Sequence, residues 1–359
     1  MHDHRPVPEF RLRAVRLWLL AAAAMIFLTL VVGGATRLTV SGLSITEWKP
    51  VTGVVPPLSE QAWRTEFDAY KAIPQYRELN KGMSLGQFKV IYYWEWTHRV
   101  LARATGVVFL LPFLLFLWTG AIPPPLRPRL WLIFAGGAAL GVVGWWMVSS
   151  GLSGSLVKVS QYRLAFHMTL ACTVYAAILW TAQQIVPRPL DEAPKRLRLA
   201  ALAIAVLLLV QIYLGALVAG LDGGLKYNTW PLIEGGLMPP LDEVLFMHPL
   251  WRNLFENILT VQLDHRMLAD GIWFLALLHA FDAWRQRFAA RSAAVLAGAV
   301  TLQAALGIVT LLYQAALPLA LVHQLMAMIV FSVAIVHAER LSHRAIMRAP
   351  QTAAAGQAA

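Results

Sequence analysis

The sequence predicts an all-α polytopic membrane protein in which eight transmembrane helices form two tandem, pseudo-symmetric four-helix bundles. Three observations predict this fold: an apolar composition, a series of apolar runs long enough to cross a bilayer, and an internal repeat. Of the 359 residues, 58% are hydrophobic and 14% are charged, whereas roughly 25% of residues are charged in an average soluble domain. This composition excludes an ordinary water-soluble enzyme, and near-average glycine and proline contents exclude a disordered or fibrous chain.

A transmembrane helix needs about 20 mostly apolar residues, and several runs in this sequence reach that length. The longest uncharged run, residues 292–338, would extend about 70 Å as one helix, over twice the hydrocarbon thickness. We therefore expect a hairpin that breaks near residues 314–318. The other predicted spans are residues 17–36, 90–118, 130–157, 164–186, 199–221 and 257–284.

The basic residues predict the orientation of these spans. One set of segments on a single side of the predicted topology holds 16 of the 30 Lys and Arg residues. These are Arg5, Arg11, Arg13, Arg16, Arg127, Arg129, Arg188, Lys195, Arg196, Arg198, Arg285, Arg287, Arg291, Arg340, Arg344 and Arg348. By the positive-inside rule that side, with both termini, is cytoplasmic. The net charge of +11 is thus largely explained by topology, and no nucleic-acid partner is needed.

The two halves of the sequence resemble each other, which predicts two equivalent structural units. His-Arg-Val-Leu-Ala at 98–102 matches His-Arg-Met-Leu-Ala at 265–269, and Ala-Leu-Gly-Val-Val at 139–143 matches Ala-Leu-Gly-Ile-Val at 305–309. Four spans return the chain to its starting side, so the units have the same orientation. We predict an N-terminal unit over residues 1–190 and a C-terminal unit over residues 191–359.

Four histidines occupy repeat-related places near the outer ends of the second and fourth spans of each unit: His98, His167, His265 and His323. A single histidine there is explained equally well by helix packing, but its recurrence in both units favours a ligand. Two histidines on facing helices of a bundle can bind a haem iron. A zinc site needs three or four protein ligands, and Cys172 has no cysteine partner. The pattern therefore favours two haem sites.

A second pair of histidines defines a competing hypothesis. His279 and His337 each lie 14 residues after an outer histidine, which is about 21 Å along a helix and roughly the same face. This spacing resembles that of a dihaem b-type membrane cytochrome that oxidises quinol. The first unit has Pro112 and Thr181 at the equivalent positions, which argues against a haem at the inner pair.

The two units differ chemically next to the outer histidines. Glu95 lies three residues before His98 and so on the same helical face, whereas Gln262 takes that place in the second unit. A carboxylate near a haem could accept a proton or stabilise a developing cation, and pairing with Arg99 is the structural alternative. Arg99 and Arg266 each follow a histidine and are candidates for contacts with haem propionates, or for anchoring at the membrane interface.

Four stretches of this sequence together resemble the haem A synthase family, and the resemblance covers nearly the whole chain. They are Gly33-Gly34-Ala35-Thr36-Arg37-Leu38-Thr39, Glu47-Trp48-Lys49-Pro50, Glu95-Trp96-Thr97-His98-Arg99 and Asp264-His265-Arg266. The resemblance implies oxidation of the C8 methyl group of haem o to a formyl group by successive hydroxylations, which makes haem a for cytochrome c oxidases.

The resemblance also implies a role for each unit. The second unit would hold a haem b cofactor on His265 and His323, with Arg266 as a propionate contact. The first would bind the iron of the substrate, haem o, on His98 and His167. In that unit Arg99 would be a propionate contact, and Glu95 matches the acidic residue implicated in the chemistry. A haem o carrier or chaperone that releases haem o unchanged is a further alternative.

Two features indicate the branch of the family. Some bacterial members have a cysteine pair in an outer loop, but Cys172 lies in the fourth span here. The long first outer loop, with Lys81-Gly82-Met83-Ser84, is typical of the alphaproteobacterial and mitochondrial branch. No transit peptide is obvious, so we expect a bacterial inner membrane with the haem sites toward the periplasm. The expected partners are haem o, an electron donor, a haem O synthase, oxidase assembly factors, the lipid bilayer and a second copy of the chain.

Overall fold

The computed structural model describes residues 8–185 and 192–342, and helices dominate both segments. Eight helices in this part of the chain are long and apolar enough to cross a membrane. They are α1 (Glu9–Leu38), α2 (Leu85–Trp118), α3 (Arg127–Ser149), α4 (Gln161–Gln184), α5 (Lys195–Gly220), α6 (Ile258–Arg285), α7 (Ala290–Leu312) and α8 (Leu317–Ser342). The predicted all-α class is confirmed, as is the number of spans.

Local sequence signals set several helix ends. The Ser84 side chain accepts from the Gln87 backbone N–H at 3.2 Å, and Gln87 bonds back to Ser84 in a capping box that begins α2. Asn257 caps α6 by accepting from the Leu259 N–H at 3.0 Å. The long uncharged run is a hairpin, as predicted, because α7 ends at Leu312 and α8 begins at Leu317. Polar caps thus fix the first turns of the two helices that carry His98 and His265.

The helices pack as a ring within each half of the chain. In the first half α1 and α3 each pack on α2 and α4, and in the second half α5 and α7 each pack on α6 and α8. The halves meet where α4 packs on α5 and α8, and where α1 packs on α8. Buried side chains along this contact include Cys172, whose Sγ lies 3.8 Å from the Sδ of Met328. One continuous apolar core therefore joins the two halves.

Polar contacts also join the halves near the outer ends of the helices. Arg37 of α1 donates to the Ala219 carbonyl oxygen at 2.6 Å and to Asp222 Oδ1 at 3.1 Å, and Lys158 pairs with the other oxygen of Asp222. Burial raises the pKa of Asp222, but hydrogen bonds and charge from Lys158 and Arg37 outweigh it and hold that pKa below its usual value. The outer ends of the two halves are thus held together by an ion-paired carboxylate.

The loop between α1 and α2, which the predicted topology places on the outer side and which is called the first outer loop, forms its own small core against the start of α2. Its main helix, Glu60–Lys71, is capped by Ser59 and buries Tyr70 against Phe88 of α2. Four of the basic residues that predict the orientation lie outside the described residues: Arg5, Arg188, Arg344 and Arg348. The boundary predicted at residue 190 lies outside them as well, so the division into units and the cytoplasmic termini remain predictions.

Candidate functional site

The four repeat-related histidines form one pair in each half. His98 on α2 pairs with His167 on α4, and His265 on α6 pairs with His323 on α8. In each half the two helices that carry the histidines pack on the same two neighbouring helices, α1 and α3 in the first half and α5 and α7 in the second. All four side chains are partly buried. The structure therefore brings together the residues that the sequence predicts as partners.

Each of these rings packs against a glycine on the preceding helix, a feature that the sequence analysis missed. A Cβ atom added to any of the four glycines would lie too close to the ring carbon Cε1 for ordinary packing. The distance from that added Cβ to Cε1 would be 2.6 Å for Gly33 and His98, 3.2 Å for Gly144 and His167, 3.1 Å for Gly215 and His265, and 3.0 Å for Gly307 and His323. The same glycine–histidine packing thus occurs four times, and the missing Cβ lets each imidazole lie directly on the backbone of the neighbouring helix.

The contact with α3 differs from the register given by sequence matching. The matched segments align Gly141 with Gly307, yet Gly141 faces open space and Gly144 makes the contact with His167. The two glycines are three residues apart, close to one helical turn. Sequence similarity alone could not tell them apart, because the choice depends on how α3 is rotated against α4.

Glu95 is buried and forms an ion pair with Arg99, one turn further along α2. Arg99 Nε donates to Glu95 Oε1 at 2.6 Å. The same guanidinium donates at 3.0 Å to the carbonyl oxygens of Ile45 and Glu47 in the first outer loop. The pairing predicted as the structural alternative is therefore present, and it ties the carboxylate to the loop that covers it. Arg103 extends this anchor by donating to the Pro50 carbonyl oxygen at 2.8 Å.

The equivalent place in the second half has no carboxylate. Gln262 and Arg266 both donate to the Tyr227 carbonyl oxygen at 2.8 Å. The Nε and Nη1 atoms of Arg266 are buried and have no hydrogen-bond partner among the described residues. Asp270, one turn further along α6, attracts this guanidinium electrostatically, but the two buried donors still lack an acceptor, which is costly unless an anion binds there. The residues beside His265 therefore suit a ligand that carries a carboxylate, as a haem carries its propionates.

The inner histidines make a different arrangement. His279 Nε2 and His337 Nε2 are 2.8 Å apart, and His337 Nδ1 lies 3.0 Å from Ser292 Oγ. A metal ion bound by both rings would hold those nitrogens about 3.3 Å apart in a tetrahedral site and about 4 Å apart on opposite sides of the ion, on metal–nitrogen distances of about 2.0 Å. The direct hydrogen bond pairs the two rings without a haem, and the buried Nδ1 of His279 has no hydrogen-bond partner among the described residues. In residues 8–185 and 192–342 no cluster of three or more His, Cys, Asp or Glu side chains could hold a metal ion.

Comparison of this sequence with known proteins finds a matching family model and several highly similar proteins. A family model described as COX15-CtaA, cytochrome oxidase assembly protein, matches residues 16–335. Haem A synthase from Rhodopseudomonas palustris (strain TIE-1) is 58% identical over 334 residues, covering 92% of this chain and 90% of that protein. Haem A synthases from Bradyrhizobium diazoefficiens and Bradyrhizobium sp. (strain ORS 278) are 56% and 55% identical, covering 94% and 96% of this chain and 94% and 97% of theirs.

Proposed function

The chain belongs to the COX15-CtaA family of cytochrome oxidase assembly proteins, and we propose that its haem A synthase activity, an oxidation of haem o, is divided between its two halves. In this proposal the first half binds the substrate and carries out the oxidation, and the second half holds a haem b cofactor. The group oxidised is the C8 methyl of haem o, which becomes a formyl group. The observation that carries the division is the contrast between the Glu95–Arg99 pair and the Gln262–Arg266 pair.

In the first half, His98 and His167 would bind the iron of haem o. Glu95 is next to this site and is the buried carboxylate of the α2 face that also carries His98. Oxidation of a methyl group releases protons, and a positioned carboxylate oxygen can accept one. Gln262, at the equivalent place, cannot act as a base, so the oxidation is assigned to the first half.

Arg99 holds this carboxylate in place. Its three observed bonds, to Glu95 and to the carbonyl oxygens of Ile45 and Glu47, tie the first outer loop to α2 beside the carboxylate. Two N–H groups of the guanidinium remain for a haem propionate, since arginine has five. Arg99 would therefore both position the base and neutralise the substrate.

In the second half, His265 and His323 would be the axial ligands of haem b, with Arg266 pairing one of its propionates. When bound, haem b supplies one-electron transfer, which the amino-acid side chains of this site cannot. The unused buried donors of Arg266 support this assignment. The proposed location is a bacterial inner membrane with both sites toward the periplasm, with an electron donor, a haem O synthase and oxidase assembly factors as partners.

The dihaem quinol-oxidising alternative is disfavoured because His279 and His337 bond to each other. The haem o carrier alternative gives no role to the Glu95–Arg99 pair, because a protein that releases haem o unchanged needs no base. Extraction of the haems after expression of the full chain in cells that supply haem o tests the proposal. We expect haem a in the extract. An extract with haem b alone would support the cytochrome, and unchanged haem o bound to the protein would support the carrier.

A further inference from the structure

Each histidine of the second half contacts a glutamine on the preceding helix. Gln211 Nε2 lies 3.0 Å from His265 Nδ1 and donates to the His265 carbonyl oxygen at 2.9 Å. Gln303 Nε2 lies 3.2 Å from His323 Nδ1 and donates to the His323 carbonyl oxygen at 3.1 Å. Each amide nitrogen also lies 3.4 Å from the other ring nitrogen, Nε2. The same pair of contacts thus occurs on two separate helix pairs, α5 with α6 and α7 with α8.

The position of the glutamines is also the same. Gln211 and Gln303 each lie four residues, about one helical turn, before the glycine that contacts the same ring, Gly215 or Gly307. One face of α5, and the matching face of α7, therefore supplies a glycine that makes room for the histidine and a glutamine that holds it.

The first half lacks these side chains. At the corresponding positions, four residues before its two contacting glycines, it has Thr29 and Leu140. Only the backbone carbonyl oxygen of Thr29 reaches a ring, at 3.2 Å from His98 Nδ1. The Nδ1 atom of His167 is buried with no hydrogen-bond partner in the described part of the chain. No side chain of the first half therefore repeats the glutamine contact.

Imidazole chemistry gives this difference a meaning. A histidine that binds a metal through one ring nitrogen has the other available for a hydrogen bond, and that bond fixes the tautomer and the ring orientation. A carboxamide carries both donors and an acceptor. The Oε1 atoms of Gln211 and Gln303 are buried and have no partner among the described residues. Each Oε1 could accept from a ring N–H if the amide turned over, a change that would break the bond that Nε2 donates to the histidine carbonyl oxygen.

We infer that Gln211 and Gln303 are positioning residues that fix His265 and His323 for a haem that stays bound, and that their absence from the first half suits a haem that must enter and leave. This inference rests on the proposed function, because it assigns the resident cofactor to the second half and the exchanging substrate to the first. The two halves then share a ligand pair, but a side chain holds each ring in the second half, whereas the first half offers His98 a backbone oxygen and leaves His167 Nδ1 without a partner among the described residues.

The test is the rate at which haem b leaves the purified full-length protein. The chain, with haem b bound in detergent, is mixed with excess apomyoglobin as acceptor. Gln211→Leu, Gln303→Leu and the double variant are compared with wild type. Gln184→Leu is the matched control, because it makes the same change at the cytoplasmic end of α4, where Gln184 pairs with Arg129. We expect haem b to leave the Gln211 and Gln303 variants about 10- to 100-fold faster than it leaves wild type, and to leave the control at the wild-type rate.

A second readout separates positioning from simple structural support. Gln211→Glu replaces the amide beside His265 by an anionic acceptor, whereas Gln211→Leu removes every polar contact of this side chain. An anionic acceptor makes the liganding imidazole more basic, so the Glu variant should lower the midpoint potential of bound haem b and still retain haem. The Leu variant should not lower it.

Several results would overturn the inference. One is a wild-type rate of haem b loss in both Leu variants, and another is an equal loss of haem o binding by the first half in the same samples. Identical midpoint potentials of haem b in the Glu and Leu variants, or a wild-type protein that binds no haem b, would also overturn it. Haem a formation in cells is measured separately. If it fails while the glutamine variants lose haem b faster, the proposed reaction is wrong but the role of the glutamines stands.

Discussion

Glu95 and Arg99 form a buried ion pair one helical turn apart, and the same arginine holds the backbone of the outer loop above them. In the second half two buried donors of the matching arginine, Arg266, have no hydrogen-bond partner among the described residues. Matched positions of the two halves thus differ in charge, because a carboxylate accepts from Arg99 and an amide, Gln262, takes that place beside Arg266. The two unused donors of Arg266 are available to an anion.

The two unused donors of Arg266 predict different effects on the haem-free and the haem-bound protein. Arg266→Leu should leave the stability of the haem-free protein nearly unchanged, because removing two buried donors that lack acceptors offsets the loss of the bond to the Tyr227 carbonyl oxygen and of the attraction to Asp270. The same change should weaken haem b binding by about 10- to 100-fold, the equivalent of one charged hydrogen bond of about 1.5–3 kcal/mol. Thermal unfolding of the apoprotein and haem titration measure the two effects. A fall in both would show that Arg266 is only structural.

Gly33, which packs against the His98 ring, predicts a variant that loses haem o binding selectively. Gly33→Ala places a Cβ 2.6 Å from His98 Cε1, so the ring must move. We expect haem o binding to fall at least about tenfold, as for other disturbed metal ligands, while haem b stays bound. Gly137→Ala on α3 is the matched control, since its Cβ would meet nothing within 4 Å. Unchanged haem o binding in Gly33→Ala would contradict the assigned position of His98.

The ion-paired carboxylate between the halves predicts a pH-dependent stability. Burial raises the pKa of Asp222, but Lys158 and Arg37 lower it by more, so the folded-state pKa lies below the usual value. The ionised Asp222 therefore stabilises the folded state at pH values above the unfolded pKa of about 3.9. This contribution is lost as the pH falls through the lower folded-state value. Because Asp222 is partly exposed, the effect should stay below about 1 kcal/mol.

The measurement is the melting temperature of wild type and Asp222→Asn in detergent at several pH values. The variant should melt lower at neutral pH, and the gap should close below about pH 4. A gap that is constant over the whole range would mean that the charge of Asp222 does not contribute.

The inner histidines predict a change in stability without a change in haem content. His279→Ala leaves His337 buried without its partner at 2.8 Å, and an unsatisfied buried group costs about 1–3 kcal/mol. We expect a lower melting temperature and the same amount of bound haem per chain, measured as the pyridine haemochrome. Loss of one haem would place a cofactor at the inner pair and revive the dihaem cytochrome.

The sequence predicts the spans, the hairpin, and the pairing of histidines between α2 and α4 and between α6 and α8, because hydrophobic length and repeated motifs are local signals. It does not predict which glycine meets each ring, since Gly141 and Gly144 differ only in helix rotation. Gln211 and Gln303 were missed for a related reason. They matter only where α5 meets α6 and α7 meets α8, and glutamine in an apolar helix has no motif of its own.

The central claim is that oxidation occurs in the first half and depends on the carboxylate of Glu95. The most direct test is the haem composition of cells and purified protein that carry Glu95→Gln, a change that keeps the size of the side chain and removes its ability to act as a base. With wild-type levels of bound haem b, the account predicts that haem a disappears and that haem o, or a partly oxidised form of it, accumulates on the protein. Wild-type amounts of haem a from this variant would contradict the account.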